Sequence, residues 1–228
     1  PVFGISLIKK FLPIIIYLII SFLLYINIMK KIFKKLFSVD RIDLIKKNLK
    51  KKNPISLEIG VHRGDLSKQL FLNFSPQKLI LVDPWMVFDE LVYKKSWYGN
   101  TENFGQKKQD LYFEEVNDYF KKEILNNEVE IHRTTSDEYF INNKYKFDLI
   151  YIDGNHLYDF VKQDILNSLK FINDEGIIVL DDYKLKGWWS DGVTKAIDYF
   201  VNTKKLKILE SHNLFNYHHQ CILKKLDT

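Results

Sequence analysis

The chain has 228 residues, 46% hydrophobic and 28% charged, enough for one full-sized globular domain with an appendage. Cys221 is the single cysteine, which excludes an internal disulfide and a thiolate metal cluster and fits a reducing compartment. The net charge of +5 divides unevenly: residues 1–52 carry twelve Lys/Arg against two Asp/Glu, and residues 53–228 carry 22 against 27, so the folded part is acidic and nucleic acid is set aside as a partner.

In chain order, the first feature is Phe11 to Met29, FLPIIIYLIISFLLYINIM, nineteen residues without a charge. That is about the length that crosses ~30 Å of hydrocarbon at ~1.5 Å per residue. Lysines flank it on both sides and are denser after it, so residues 1–35 are predicted to be a single-pass membrane anchor with the C-terminal domain in the cytoplasm. The long apolar run and the absence of a small-residue cleavage site argue against a signal peptide. Residues 36–52 read as a basic juxtamembrane helix or linker attracted to anionic lipid.

After Pro54 short apolar runs alternate with longer amphipathic stretches. Ile55 to Ile59, Lys78 to Val82, Val129 to His132, Phe147 to Ile152 and Gly176 to Leu180 each predict a buried strand. Between them, Asp65 to Asn73, Gln106 to Leu125 and Tyr158 to Ile172 predict helices. Strands near Lys205 to Glu210 and Asn216 to Leu223 follow a helix from Gly192 to Val201, and a terminal hairpin strand is expected to run antiparallel. Residues 53–228 are therefore expected to form one α/β domain, a Rossmann-like, doubly wound and mostly parallel sheet.

The first strand leads into Glu58-Ile59-Gly60-Val61-His62-Arg63-Gly64. Gly60 lets the backbone approach a ligand and Gly64 permits tight entry into a helix. A dinucleotide fingerprint needs a third glycine where His62 stands. Glu58 would repel a pyrophosphate but suits a cationic amino group, so the spacing favours S-adenosylmethionine over NAD. Glu58, Gly60, Val61 and Gly64 are the candidate cofactor contacts of this turn. The second strand ends in Asp83-Pro84-Trp85, and an acid there, some twenty residues on, can accept both ribose hydroxyls. Pro84 belongs to the same contact, and Trp85 either lies near the adenine or covers the sheet. After the third strand, Ser136 and Asp137 fall where the adenine is usually contacted.

The fourth and fifth strands end in Asp153-Gly154-Asn155-His156 and Asp181-Asp182-Tyr183. Parallel strands open their carboxyl ends on one side, so Asp153, Asp181 and Asp182 are expected to converge at one mouth. Three acids there repel one another unless a cation neutralises them, and Mg²⁺ or Mn²⁺ answers that. Such an ion would lower the pKa of a substrate hydroxyl, with Asp153 and His156 as the candidate catalytic residues and His156 as the general base. Trp188 and Trp189 suggest an aromatic lid or saccharide platform, and residues from Trp97 to Gly105 a cap. His218 and His219 alternate across a strand and read as structural.

The runs LEIGVHRGDLS, LILVDPW and FDLIYIDGNHLYDFVKQDILNSLKFINDEGIIVLDDY resemble class I S-adenosylmethionine-dependent methyltransferases, closest to the branch of metal-dependent macrolide-sugar O-methyltransferases. The resemblance covers roughly Ser56 to Ala196. It implies a seven-stranded methyltransferase sheet, with Asp153, Asp181 and Asp182 as metal ligands, His156 as general base, and Glu58, Gly60 and Asp83 at the cofactor. Asn173 to Gly176 departs from the family's more glycine-rich turn. The expectation is an O-methyltransferase acting on a small-molecule or glycan acceptor, a sugar or other polyhydroxylated compound, with a membrane-tethered, non-catalytic cofactor-binding module as the alternative.

Overall fold

The computed structural model describes residues 16, 21, 22, 25, 26, 29, 40–102, 105–214 and 218–226. The chain divides into two compact units, Pro1–Val39 and Asp40–Thr228, and in the first the described positions are helical.

In the second unit the strands are β1 Ile55–Ile59, β2 Lys78–Asp83, β3 Val129–Arg133, β4 Phe147–Ile152, β5 Ile172–Leu180, β6 Leu206–Leu214 and β7 His218–Lys225. The helices are α1 Arg41–Asn48, α2 Asp65–Phe74, α3 Gln106–Tyr119, α4 Lys121–Leu125, α5 Ser136–Asn142, α6 Tyr158–Phe171 and α7 Gly192–Asn202. One seven-stranded sheet runs in the order β3-β2-β1-β4-β5-β7-β6. The pairs among β1 to β5 are parallel, and β7 runs antiparallel to both β5 and β6. The sheet is thus Rossmann-like, with a reversed terminal hairpin.

The strands read as continuous apolar runs because both faces of the sheet are covered. Within β4, Ile150 and Ile152 pack with Val161 and Ile165 of α6 and with Val193, Ala196 and Phe200 of α7. Leu149 and Tyr151, one residue out of phase, pack with Ile42 and Ile45 of α1, Leu66 and Leu70 of α2 and Val116 of α3. Strand order reverses between β1 and β4, where the Asp153 amide donates to the Ile59 carbonyl at 2.8 Å. A crevice opens at such a switch point on the carboxyl side of the strands.

The stretch expected to be one helix from Gln106 to Leu125 is broken at Phe120, which leaves helical geometry (φ −95°, ψ 13°) and is fully buried. The strand expected from Gly176 begins four residues earlier, because α6 runs straight into β5 and the exposed Asp174 and Glu175 lie on an irregular edge beside β4.

The expectation of a single-pass membrane protein is corrected. Among the described residues no helix is long and apolar enough to cross a membrane. The longest described helices, α3 and α6, have 14 residues each, or about 21 Å at ~1.5 Å per residue, short of the ~30 Å required. Most of the 11–29 segment lies outside the described residues. Within 36–52, α1 belongs to the second unit and buries Ile42, Leu44 and Ile45 against its core.

Candidate active site

The chain leaves β1 through Gly60, whose φ is +86°. A Cβ on Gly60 would lie 2.2 Å from the Asp153 carbonyl oxygen, so the nearest neighbour that demands glycine is the end of β4. Gly64, with φ +72°, is the N-cap of α2 and faces Val116. The amides of this turn are used within the protein. Gly60 N donates to Val82 O at 2.9 Å, Val61 N and His62 N both donate to Asp83 Oδ2 at 2.9 Å, and Gly64 N donates to Val61 O at 2.8 Å.

Asp83 therefore ties the end of β2 to the turn after β1, and its other oxygen accepts from Trp85 N at 2.7 Å. Burial raises its carboxyl pKa, and these three amide bonds pull it back. The Val61 side chain is buried in the core, and Pro84 is half-buried beside Asp83. Trp85 is fully buried and donates from Nε1 to His62 O at 2.8 Å, so it covers the sheet. Ser136 and Asp137 open α5 behind the N-cap Thr135, which forms a capping box with Glu138. Ser136 Oγ donates to Asp164 at 2.5 Å and Asp137 accepts from Asn167 at 3.0 Å, which pins α5 to α6. Burial pushes the Asp164 carboxyl up to about 7, the Ser136 bond opposes this, and Asp137 adds to it.

The ends of β1, β4 and β5 bring the acids together. Glu58 is 1% exposed, and its carboxyl is pushed up to about 8 by burial, against a Ser67 hydrogen bond, with Asp153 and Asp83 raising it further and Arg41 lowering it. His156 Nε2 lies 3.0 Å from Asp182 and 3.4 Å from Asp153. Burial would depress this imidazole, but bonds to Asp153 and Asp182 hold its pKa up to about 10. Asp153, His156 and Asp182 each offer a ligand atom, all within 4.8 Å of one another. Asp182 has φ +59°, a left-handed conformation that turns its carboxylate toward His156. Asp181 is placed differently: it is 2% exposed, accepts from Asp182 N at 3.1 Å and pairs with Arg41 at 3.3 Å. Burial penalises the Arg41 charge, and Tyr151, Asp181, Asp153 and Glu58 more than offset that.

Aromatic rings border this mouth. Trp189 lies 4.6 Å from the His156 ring, and Trp188 lies 5.6 Å from both Tyr93 and Tyr98. Asn155 donates to Tyr93 OH at 2.9 Å, which fastens the 86–102 segment to the loop after β4. Trp97 stacks on His62 at 5.0 Å, and burial together with Arg63 lowers the His62 pKa to about 4. His219 packs edge-on against Tyr183. Cys221 is buried, its thiol pushed up to about 12 by burial.

Sequence reasoning missed Arg41, because it lies in the basic segment outside the expected domain. The available signal was Asp40 as an N-cap before apolar residues 42, 44, 45 and 49, the mark of a packed helix.

Residues 57–183, more than half of the chain, match the profile of a methyltransferase-domain family. No curated protein sequence matches the chain. Among solved structures it is similar to the O-methyltransferase TomG of Streptomyces achromogenes, involved in tomaymycin synthesis and solved with S-adenosylmethionine, at 12% identity and TM-score 0.56, over 82% of this chain and 78% of that one. It is similar to a putative rRNA methylase of Clostridium thermocellum at 11% identity and TM-score 0.56, over 82% and 93%. It is also similar to the N-methyltransferase NodS of Bradyrhizobium japonicum WM9 at 14% identity and TM-score 0.54, over 81% and 93%. At these identities the structural likeness is one of fold.

Proposed function

The chain belongs to the methyltransferase-domain family and is an S-adenosylmethionine-dependent methyltransferase; on that basis we propose that it methylates a hydroxyl of a sugar or other polyhydroxylated acceptor with the help of a divalent cation. The observation that carries this reading is the trio Asp153, His156 and Asp182 beside the glycine turn. Donor atoms within 4.8 Å of one another fit a central ion held at about 2.0–2.6 Å from each oxygen. The carboxylates of Asp153 and Asp182 suit Mg²⁺ or Mn²⁺, with His156 beside the ion as the base. When bound, such an ion lowers the pKa of an acceptor hydroxyl and orients it.

The residues of this chain supply the rest. Asp153 and Asp182 hold the cation, and Asp181 accepts the Asp182 amide and so steadies its left-handed backbone. His156 takes the hydroxyl proton only after losing its own, which requires that Asp153 and Asp182 be neutralised by something other than the imidazolium. Glu58, Gly60, Val61 and Gly64 line the methionine side of the cofactor, Asp83 and Pro84 the ribose side, and Ser136 and Asp137 the adenine side. Trp188, Trp189 and Tyr93 form a platform for a sugar ring, and the buried Trp189 Nε1–H, which has no acceptor among the described residues, suits an acceptor hydroxyl. The acidic balance of residues 53–228 disfavours a nucleic-acid acceptor.

The test is transfer of labelled methyl from S-adenosylmethionine to sugar and glycan extracts, with Mn²⁺ and with a chelator. Transfer that stops on chelation and returns with Mn²⁺ supports the reading. Transfer indifferent to chelation, or confined to nitrogen or RNA acceptors, contradicts it.

A further inference from the structure

The methionine end of S-adenosylmethionine is a zwitterion, so its pocket must meet an ammonium and a carboxylate separately. The mouth is rich in groups for the ammonium: Glu58, Asp153, Asp181 and Asp182 all gather there. The carboxylate is the harder half. A turn at the start of a helix usually offers its free amides to an anion, but here Gly60, Val61, His62 and Gly64 already donate to Val82, Asp83 and Val61. Those four amides are thus taken, and Arg41 offers a side-chain cation at the same mouth.

Arg41 opens α1 behind its N-cap Asp40, and burial of Ile42 and Ile45 fixes where the guanidinium projects. Its side chain is 21% exposed, so its charge acts with little screening. The contact to Asp181, at 3.3 Å, is longer than the 2.7–2.9 Å typical of charge-assisted bonds and engages one nitrogen of a fork that carries five donors. Asp181 N donates to Ile152 O at 3.3 Å, so the Arg41–Asp181 pair sits beside the end of β4.

We propose that Arg41 binds the α-carboxylate of S-adenosylmethionine, opposite the Glu58 side that receives the ammonium. This rests on the cofactor site proposed at Glu58 to Gly64 and is independent of the acceptor and of the metal. Arg41 is held in position by a folded helix and exchanges a long contact with Asp181 for a bidentate one with the ligand.

The experiment is calorimetric titration of the full chain with S-adenosylmethionine and with its decarboxylated analogue, for the native protein, Arg41→Gln and Arg41→Lys. The native protein is expected to prefer S-adenosylmethionine by roughly tenfold to a hundredfold, the scale of one hydrogen bond to a charged group. Arg41→Gln should weaken S-adenosylmethionine by that factor, leave the analogue within about twofold, and so erase the preference, with Arg41→Lys restoring part of it. Equal weakening of both ligands would mean that Arg41 only steadies Asp181, and no weakening of either would mean that it is idle; both overturn the proposal. If Arg41→Gln does not fold, Asp181→Asn is decisive: releasing Arg41 from its acid should keep or enlarge the preference, and loss of the preference overturns the assignment. A native protein that binds neither ligand overturns the cofactor site itself, whereas one that binds both alike overturns Arg41 alone.

Discussion

The two ends of the sheet treat charge in opposite ways. At the amino end each buried charge has its partners: Lys78, 6% exposed, donates to Asn127 O at 2.7 Å and pairs with Glu130 at 2.7 Å. Asp148 accepts from Ile55 N and Asn173, and Glu175 lies between Lys50 and Lys224. At the carboxyl end Glu58, Asp153, Asp181 and Asp182 crowd around Arg41 and His156, and burial raises the pKa of Glu58 and Asp153. Charge that the fold leaves undercompensated marks where a ligand completes it. Space alone points the other way: a groove of about 710 Å³ bordered by Phe71, Gln77, Lys122 and Glu128 lies at the amino end. The cavity among Asp153, His156 and Asp181 measures about 10 Å³, room for roughly one water. The proposed chemistry belongs to the smaller one.

The contrast can be broken by substitutions at each end. The largest effect is expected at the joint that holds the mouth together. Gly60→Ala sets a methyl 2.2 Å from the Asp153 carbonyl at a positive φ and should remove about 4 kcal/mol of stability, read by denaturant unfolding. A variant as stable as the native protein would show that β1 and β4 do not close on each other there. Next, Asp182→Asn should lower turnover about 100-fold while the melting temperature stays close to native, since asparagine keeps the left-handed backbone and an acceptor for His156. A fall in melting temperature with turnover intact would reverse the assignment of the two ends. Lys78→Met is the mirror image: it leaves Glu130 half-buried without its cation, about 3 kcal/mol by chemical unfolding, with turnover within about twofold of native.

The smallest effect concerns a buried acid away from the mouth. The Asp164 carboxyl is raised from 3.8 to about 7, so burying its charge costs nothing below pH 3.8, and the cost grows as pH climbs toward 7 and is full above it. Asp164→Asn should therefore match the native protein at pH 4 and exceed it by about 2 kcal/mol at pH 8. Unfolding curves at the two pH values that shift in parallel would show that Asp164 is ionised without penalty.

Much of this was legible in the sequence for one physical reason. Strands buried on both faces read as apolar runs, so β1 and β4 fall where the residues predict them, and the acids at their ends follow from parallel topology. What was not legible depends on partners distant in the chain. Nothing near Gly60 announces that its neighbour is the carbonyl of Asp153, and nothing near Asp181 announces Arg41, 140 residues away. α5 is seven residues long, too short for a periodic signal, although Thr135 and Glu138 form its capping box. The basic stretch after residue 30 masked α1, because lysine density drew attention from Ile42, Leu44 and Ile45. The membrane-crossing expectation rested on an apolar run and its flanking lysines, and most of that run lies outside the described residues.

A cation held by Asp153 and Asp182 beside His156 is the central proposal. Its most direct test is calorimetric titration of Mn²⁺ into the protein saturated with S-adenosylmethionine. One site per chain, lost in Asp182→Ala while cofactor binding is kept, is the predicted result; no Mn²⁺ binding, or binding unchanged in Asp182→Ala, would contradict it.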